Sequence, residues 1–281
     1  MIRNVLCRNL LVFLVVLWPC VSRADEQTGS PQPLRVFAAG SLRGVVKSLV
    51  ATYEKTTGQK IDTVFGPAGL LLDRIEKDGG ADLFLSANMN HPEQLARAGK
   101  SLPPVIYVRN AMCGLARKDF GLTTENFLQK LLDPATRIGT STPKADPGGD
   151  YAWTMFARAD VLKPGAEKQL EDKAQKLVGG TLAPPPAAGA NPVAQFVKEG
   201  TVDLFIGYCS HGSAAPDNDL VSVRAPDDLN IAVDYGMSVI EGADPERQWA
   251  AARFALYLLT PGAQKIFAEF GFVPVRQSTQ N

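Results

Sequence analysis

Several junctions in this sequence put small residues and a helix start directly behind an apolar run. Leu34 to Leu42 reads LRVFAAGSL, in which the run stops at Ala38-Ala39-Gly40 and Ser41 opens a helical pattern. Pro67-Ala68-Gly69 follows the apolar segment Ile61 to Phe65, and Asp146-Pro147-Gly148-Gly149 precedes a helical stretch around Tyr151. Free amide N–H groups at such a helix start, together with the positive end of the helix dipole, hold an anion without any cation. Ser41 would add a hydroxyl. The plainer readings are an N-cap for Ser41, worth about 1 kcal/mol, and ordinary turns for the others. Asn191 before Pro192 offers one more helix start. Tyr208 ends the apolar run Val202 to Tyr208, where its phenol either meets a ligand or completes the core.

Catalytic patterns are sparse. His91 and His211 are the 2 histidines of the chain. Cys209-Ser210-His211 brings a thiol, a hydroxyl and an imidazole together. Cys209 and His211 share a face if the strand continues, the minimum for a thiol nucleophile with its base. No HExxH, CxxC or Walker-type loop occurs, so metal hydrolysis and nucleotide chemistry have no carrier. The 29 basic and 29 acidic residues cancel, which excludes a bulk electrostatic attraction to nucleic acid or an anionic membrane. No nucleic-acid partner is expected, and any anion must be held locally.

The elements that position these residues begin after an export signal. Arg3 and Arg8 precede the apolar run Leu10 to Trp18, which is too short for an ordinary membrane span. Ser22-Arg23-Ala24 supplies small residues for cleavage after Ala24, so 1–24 is read as a signal peptide. An acylated Cys20 is the lipoprotein alternative, disfavoured by the bulky Trp18 and Pro19 before it. Cleavage leaves Cys113 and Cys209. In an oxidising compartment they pair as a disulfide or stay as two buried thiols.

Residues 25–33 are polar and read as a flexible lead-in. With 281 residues, 45% of them hydrophobic, the chain can bury a large core. Strands at Arg35–Ala38, Ile61–Phe65 and Asp82–Leu85 alternate with helices. Leu42, Val45, Val46, Leu49, Val50 and Tyr53 form one helix face. A second unit starts near Cys113, with strands at Cys113–Ala116, Arg137–Thr140 and Val202–Tyr208. Its helices are expected at Thr124–Leu132, Tyr151–Ala159 and Glu167–Val178, with a long turn over Pro143–Gly149. Thr181–Ala190 is a proline-rich and alanine-rich loop. A strand over Ile231–Ile240 and helices over Pro245–Leu259 and Pro261–Phe270 close the chain. This order predicts an α/β protein with mostly parallel sheets flanked by helices. The expected division is 34–110 with 232–277 as lobe 1 and 111–231 as lobe 2. The ligand cleft then lies between the lobes, at the carboxyl ends of the strands.

With these residues in view, the chain resembles the periplasmic molybdate-binding proteins of ABC importers, which have the type II periplasmic-binding fold. The resemblance is carried by VFAAGSL (36–42), DRIEKDGGADLFLSAN (73–88), PGGDYA (147–152), DLFIGYCS (203–210) and PGAQKIFAEFGFVPV (261–275). It implies an exported, monomeric binding protein and not an enzyme, one that delivers molybdate or tungstate to a membrane permease. It requires no other cofactor. The oxyanion, rather than a bare metal ion, would be held through Ser41 and Tyr208. Backbone donors would come from Ala68, Gly69, Gly148 and either Ala190 or Asn191. Gly66-Pro67-Ala68-Gly69 departs from the family, whose corresponding turn supplies a second hydroxyl. Losing one hydrogen bond to a buried charge costs roughly 1.5–3 kcal/mol. A different small anion or organic acid, a sensor role, and a thiol hydrolase using Cys209 and His211 are the alternatives.

Overall fold

The computed structural model describes residues 32–180, 192–213, 219–242 and 244–275. The expected signal segment, the body of the lead-in, the 181–190 loop and Asn191 fall outside these ranges. The chain starts as β1 (Leu34–Ala39), α1 (Arg43–Thr57), β2 (Ile61–Gly66), α2 (Ala68–Asp78), β3 (Leu83–Leu85), α3 (Asn90–Arg97) and β4 (Val105–Asn110). It continues as β5 (Met112–Arg117), α4 (Phe127–Leu132), β6 (Ile138–Ser141), α5 (Pro147–Leu162), α6 (Ala166–Lys173) and β7 (Gln175–Val178). Next come α7 (Pro192–Lys198), β8 (Leu204–Tyr208), α8 (Ser210–Ser213) and β9 (Leu220–Arg224). The last elements are β10 (Val233–Val239), α9 (Pro245–Leu258), α10 (Pro261–Glu269) and β11 (Val273–Pro274).

Two mixed sheets result. The first has the order β11-β4-β10-β3-β1-β2, and the second β7-β6-β8-β5-β9. In the first, β1 runs parallel to β2 and β3, while β10 is antiparallel to β3 and β4. In the second, β6 runs parallel to β7 and β8, while β5 is antiparallel to β8 and β9. This is the two-lobed type II periplasmic-binding fold.

The chain passes between the sheets at Ala111 and again between β9 and β10. Asparagine side chains fasten both passages. Asn110 Oδ1 accepts from the Ala111 amide at 2.9 Å. Asn230 accepts from the Met112 amide at 3.2 Å and donates to the Met112 and Ala225 carbonyls at 3.3 and 3.0 Å. The Arg158 guanidinium donates to the Asn230 carbonyl.

Local sequence explains the element ends. Asp146, Asp244 and Thr260 each accept from amides of the following turn, and a proline occupies the first helical position of α5, α9 and α10. The cap satisfies an otherwise orphaned N–H, and the proline lacks one there. Gly58 closes α1 in the left-handed region at φ 75°, which glycine adopts without a Cβ clash. Val45, Val46, Leu49 and Tyr53 are buried on one face of α1. Tyr107, Tyr235, Phe37, Phe84, Phe254 and Phe267 are fully buried in the main core.

Three expectations need correction. The span Glu167–Val178 is not one helix but α6 followed by the strand β7. Ala174 turns extended at ψ 121°, and β7 joins β6 in a parallel ladder whose hydrogen bonds outweigh the helical charge pattern. Helix α5 starts at Pro147, not near Tyr151, because Asp146 caps it, so the turn is shorter than Pro143–Gly149. The segments Val105–Asn110 and Leu220–Arg224, to which the patterning assigns nothing, are strands.

Candidate functional site

Ser41 lies in a single 3-10 turn, Gly40–Leu42, between β1 and α1. It is not a helix cap. The N-cap of α1 is Leu42, and no side chain bonds that end. The Ser41 hydroxyl instead lies 3.1 Å from the Tyr235 hydroxyl on β10. The Asn110 amide donates to Tyr235 Oη at 3.4 Å and to Ser210 Oγ at 2.9 Å. A polar chain therefore runs from β1 through β10 to the start of α8, immediately behind Tyr208.

Tyr208 ends β8, as expected, and is almost entirely buried. Its ring stands edge-on to Tyr235 at 5.5 Å and to Tyr151 at 6.3 Å. Its hydroxyl is shut off from water and has no hydrogen-bond partner among the described residues. Leaving such a group unpaired costs about 1–3 kcal/mol. Burial drives the Tyr208 and Tyr235 phenols well above their ordinary range and pushes Tyr151 up to about 12. All three stay neutral donors at physiological pH.

Gly148 packs against Tyr208. A Cβ there would lie 3.4 Å from the Tyr208 ring, 3.2 Å from Ser141 Oγ and 3.4 Å from Asp146 Oδ1. Structure and sequence reading part at its amide, which donates to Asp146 Oδ1 at 2.9 Å and is not an open donor. The Asp146 carboxylate also bonds Ser141. Burial, opposed by those hydrogen bonds, raises it to about 6.

Gly69 is committed as well. Its amide donates to the Ala145 carbonyl at 3.1 Å, joining the start of α2 to the turn before α5. A Cβ on Gly69 would sit 2.4 Å from the Lys144 carbonyl oxygen, so only glycine allows this approach. Ala68 is the first residue of α2 and is buried. Asn191 lies outside the described residues. Ser41 and Tyr208 thus meet at Tyr235, Gly148 packs on the Tyr208 ring, and the Ala68-Gly69 turn meets the turn before α5.

Sequence reasoning missed Tyr235 and the carboxylate of Asp146. Tyr235 sits in an apolar strand and reads as core. Aspartate before proline at a helix start was a visible capping signal for Asp146.

Cys113 and Cys209 form a disulfide. Cys209 is therefore no thiol nucleophile, which removes the basis of the hydrolase alternative. A surface recess beside this disulfide, lined in part by Asn110, Ser222 and Arg224, includes none of Ser41, Gly148 or Tyr208. None of its lining side chains carries a buried orphan polar atom among the described residues. The cluster around Tyr208 is the better candidate.

The family model described as bacterial extracellular solute-binding protein matches residues 34–273. The chain belongs to this family. Uncharacterized protein PM1146 of Pasteurella multocida is 34% identical over 254 residues, covering 87% of this chain and 100% of that protein. Molybdate-binding protein ModA of Azotobacter vinelandii is 30% identical over 263 residues, covering 91% of this chain and 93% of its own. Among solved structures, the sulfate-binding protein SubI of Mycobacterium tuberculosis superposes with a TM-score of 0.71 at 18% identity, covering 88% of each chain.

Proposed function

We propose that this solute-binding protein is exported through a signal peptide cleaved after Ala24. It captures a small oxyanion between its lobes, 34–110 with 232–277 and 111–231, and delivers it to an ABC importer permease. It works as a binding protein and not as an enzyme. The observation that carries the reading is the buried, unpartnered Tyr208 hydroxyl, on a ring that packs against Gly148 and against Tyr235, the partner of Ser41. A ligand oxygen would complete that hydroxyl, and neutral phenols and hydroxyls would hold charge without a cation.

Molybdate is supported by the Azotobacter relative, a molybdate-binding protein, and tungstate enters only as its chemical analogue. The second reading, a different small anion or an organic acid, is favoured by the hydroxyl missing from Gly66–Gly69 and by the carboxylate beside Gly148. A calorimetric panel of molybdate, tungstate, sulfate, phosphate and small carboxylates decides between them. For whichever anion binds, Ser41→Ala and Tyr208→Phe should each weaken binding by about 1–3 kcal/mol without unfolding the protein. Unchanged affinity in both variants would reject the site.

A further inference from the structure

Asp146 stands where the resemblance implied an open amide. Its Oδ1 takes the Gly148 N–H at 2.9 Å. A Cβ on Gly148 would touch both this oxygen and Cε2 of the Tyr208 ring, each at 3.4 Å, so the carboxylate and the ring that carries the orphan hydroxyl flank the same glycine. On its other side, Oδ2 packs toward Gly179, where a Cβ would lie 3.2 Å away. Asp150, a second carboxylate four residues on whose Oδ1 takes the Lys144 amide, adds negative charge near Asp146. An anion resting on the Tyr208 hydroxyl would meet an acceptor with negative charge, not a donor.

We propose that Asp146 makes this site select an anion that brings its own O–H donor and discriminate against oxyanions carrying no proton. The inference rests on the oxyanion reading of the Tyr208 site and sharpens it. Gly148 and Ser141 bond the Asp146 carboxylate but neither brings a positive charge, so a second negative group beside it is repelled, whereas an O–H between the two forms a charge-assisted hydrogen bond. Protonated tetrahedral oxyanions and hydroxy acids share this donor. Sulfate and molybdate lack it at neutral pH.

The test is calorimetry at pH 7.5 with four probes (phosphate, arsenate, sulfate, molybdate) plus lactate against propionate. It uses the wild type, Asp146→Asn and Asp146→Ser. Both substitutions keep an acceptor for the Gly148 amide and remove the charge. The wild type should bind phosphate and arsenate, or lactate over propionate, about tenfold or more tighter than the proton-free partners. That threshold corresponds to about 1.4 kcal/mol. Both variants should raise sulfate and molybdate affinity and collapse the ratio. The two arms tell an inorganic oxyanion from a hydroxy acid. A wild type that prefers sulfate or molybdate, or an unchanged ratio in both variants, overturns the role of Asp146. If Ser41→Ala still weakens binding in that case, the site itself stands. Binding of no probe at all, or binding insensitive to both Ser41→Ala and Tyr208→Phe, overturns the site and this inference together.

Discussion

Asp146 is a residue whose charge the fold disfavours. Its folded value near 6 lies above the ordinary 3.8, mainly through burial. The folded state then holds a proton more tightly than the unfolded chain does. The contribution to stability is fully present below about pH 4 and is lost as pH rises through 6. A rise of that size is worth roughly 3 kcal/mol at most, and the partial exposure of the residue brings it to about 1–3 kcal/mol. Asp146→Asn keeps an acceptor for the Gly148 amide and removes the ionisation. Urea unfolding at pH 4 and pH 7.5 should show the variant gaining on the wild type by that amount at the higher pH only. An equal difference at both pH values would mean that Asp146 is not desolvated. Tyr208 and Asp146 are legible to different degrees for a physical reason. A tyrosine ending an apolar strand announces itself. The cost of a carboxylate depends on Ser141, Gly148 and Gly179, which only folding brings beside it.

Elements were most legible where one periodicity ran uninterrupted. The α1 face and the β1-α1-β2-α2-β3 order follow directly from apolar spacing. Strand β7 was hidden because it is half-exposed, short and preceded by a charged helix. Strand β9 was hidden because its identity comes from pairing with β5, not from a buried run. The antiparallel pairing of β5 with β8 places Cys113 opposite Gly207, two residues short of Cys209. That brings together sulfurs 96 residues apart. Closing so long a loop restricts the unfolded chain, an effect of about 2–4 kcal/mol. A Cys113→Ala, Cys209→Ala double variant should lose about that much in denaturant unfolding. Reductant should reproduce the loss in the wild type and do nothing further to the variant. Two free thiols in unreduced native protein would contradict the bridge.

At the scale of the whole molecule, the two sheets are joined by the fastened passages at Asn110 and Asn230 and, at a third place, by Gly69 meeting Ala145. The first two are covalent crossings and belong to any arrangement of the lobes. The third is a single amide-to-carbonyl contact, the kind that forms and breaks as lobes move. Its geometry is specialised. Lys144 sits in the left-handed region at φ 69°, and its amide is held by Asp150 Oδ1 at 2.8 Å. A non-glycine residue there costs on the order of 1–2 kcal/mol, so the turn is shaped to present its carbonyls to α2. On the proposed reading, capture of the ligand brings the lobes to the arrangement that holds this contact, and affinity then includes the free energy of reaching it. Gly69→Ala should therefore weaken anion binding by about tenfold or more, because its Cβ would lie 2.4 Å from the Lys144 oxygen. Each lobe keeps its own packing, so the melting temperature without ligand should hardly change. Small-angle scattering should show the variant staying expanded at ligand concentrations that compact the wild type. If Gly69→Ala binds and compacts like the wild type, the Gly69–Ala145 contact has no part in closure.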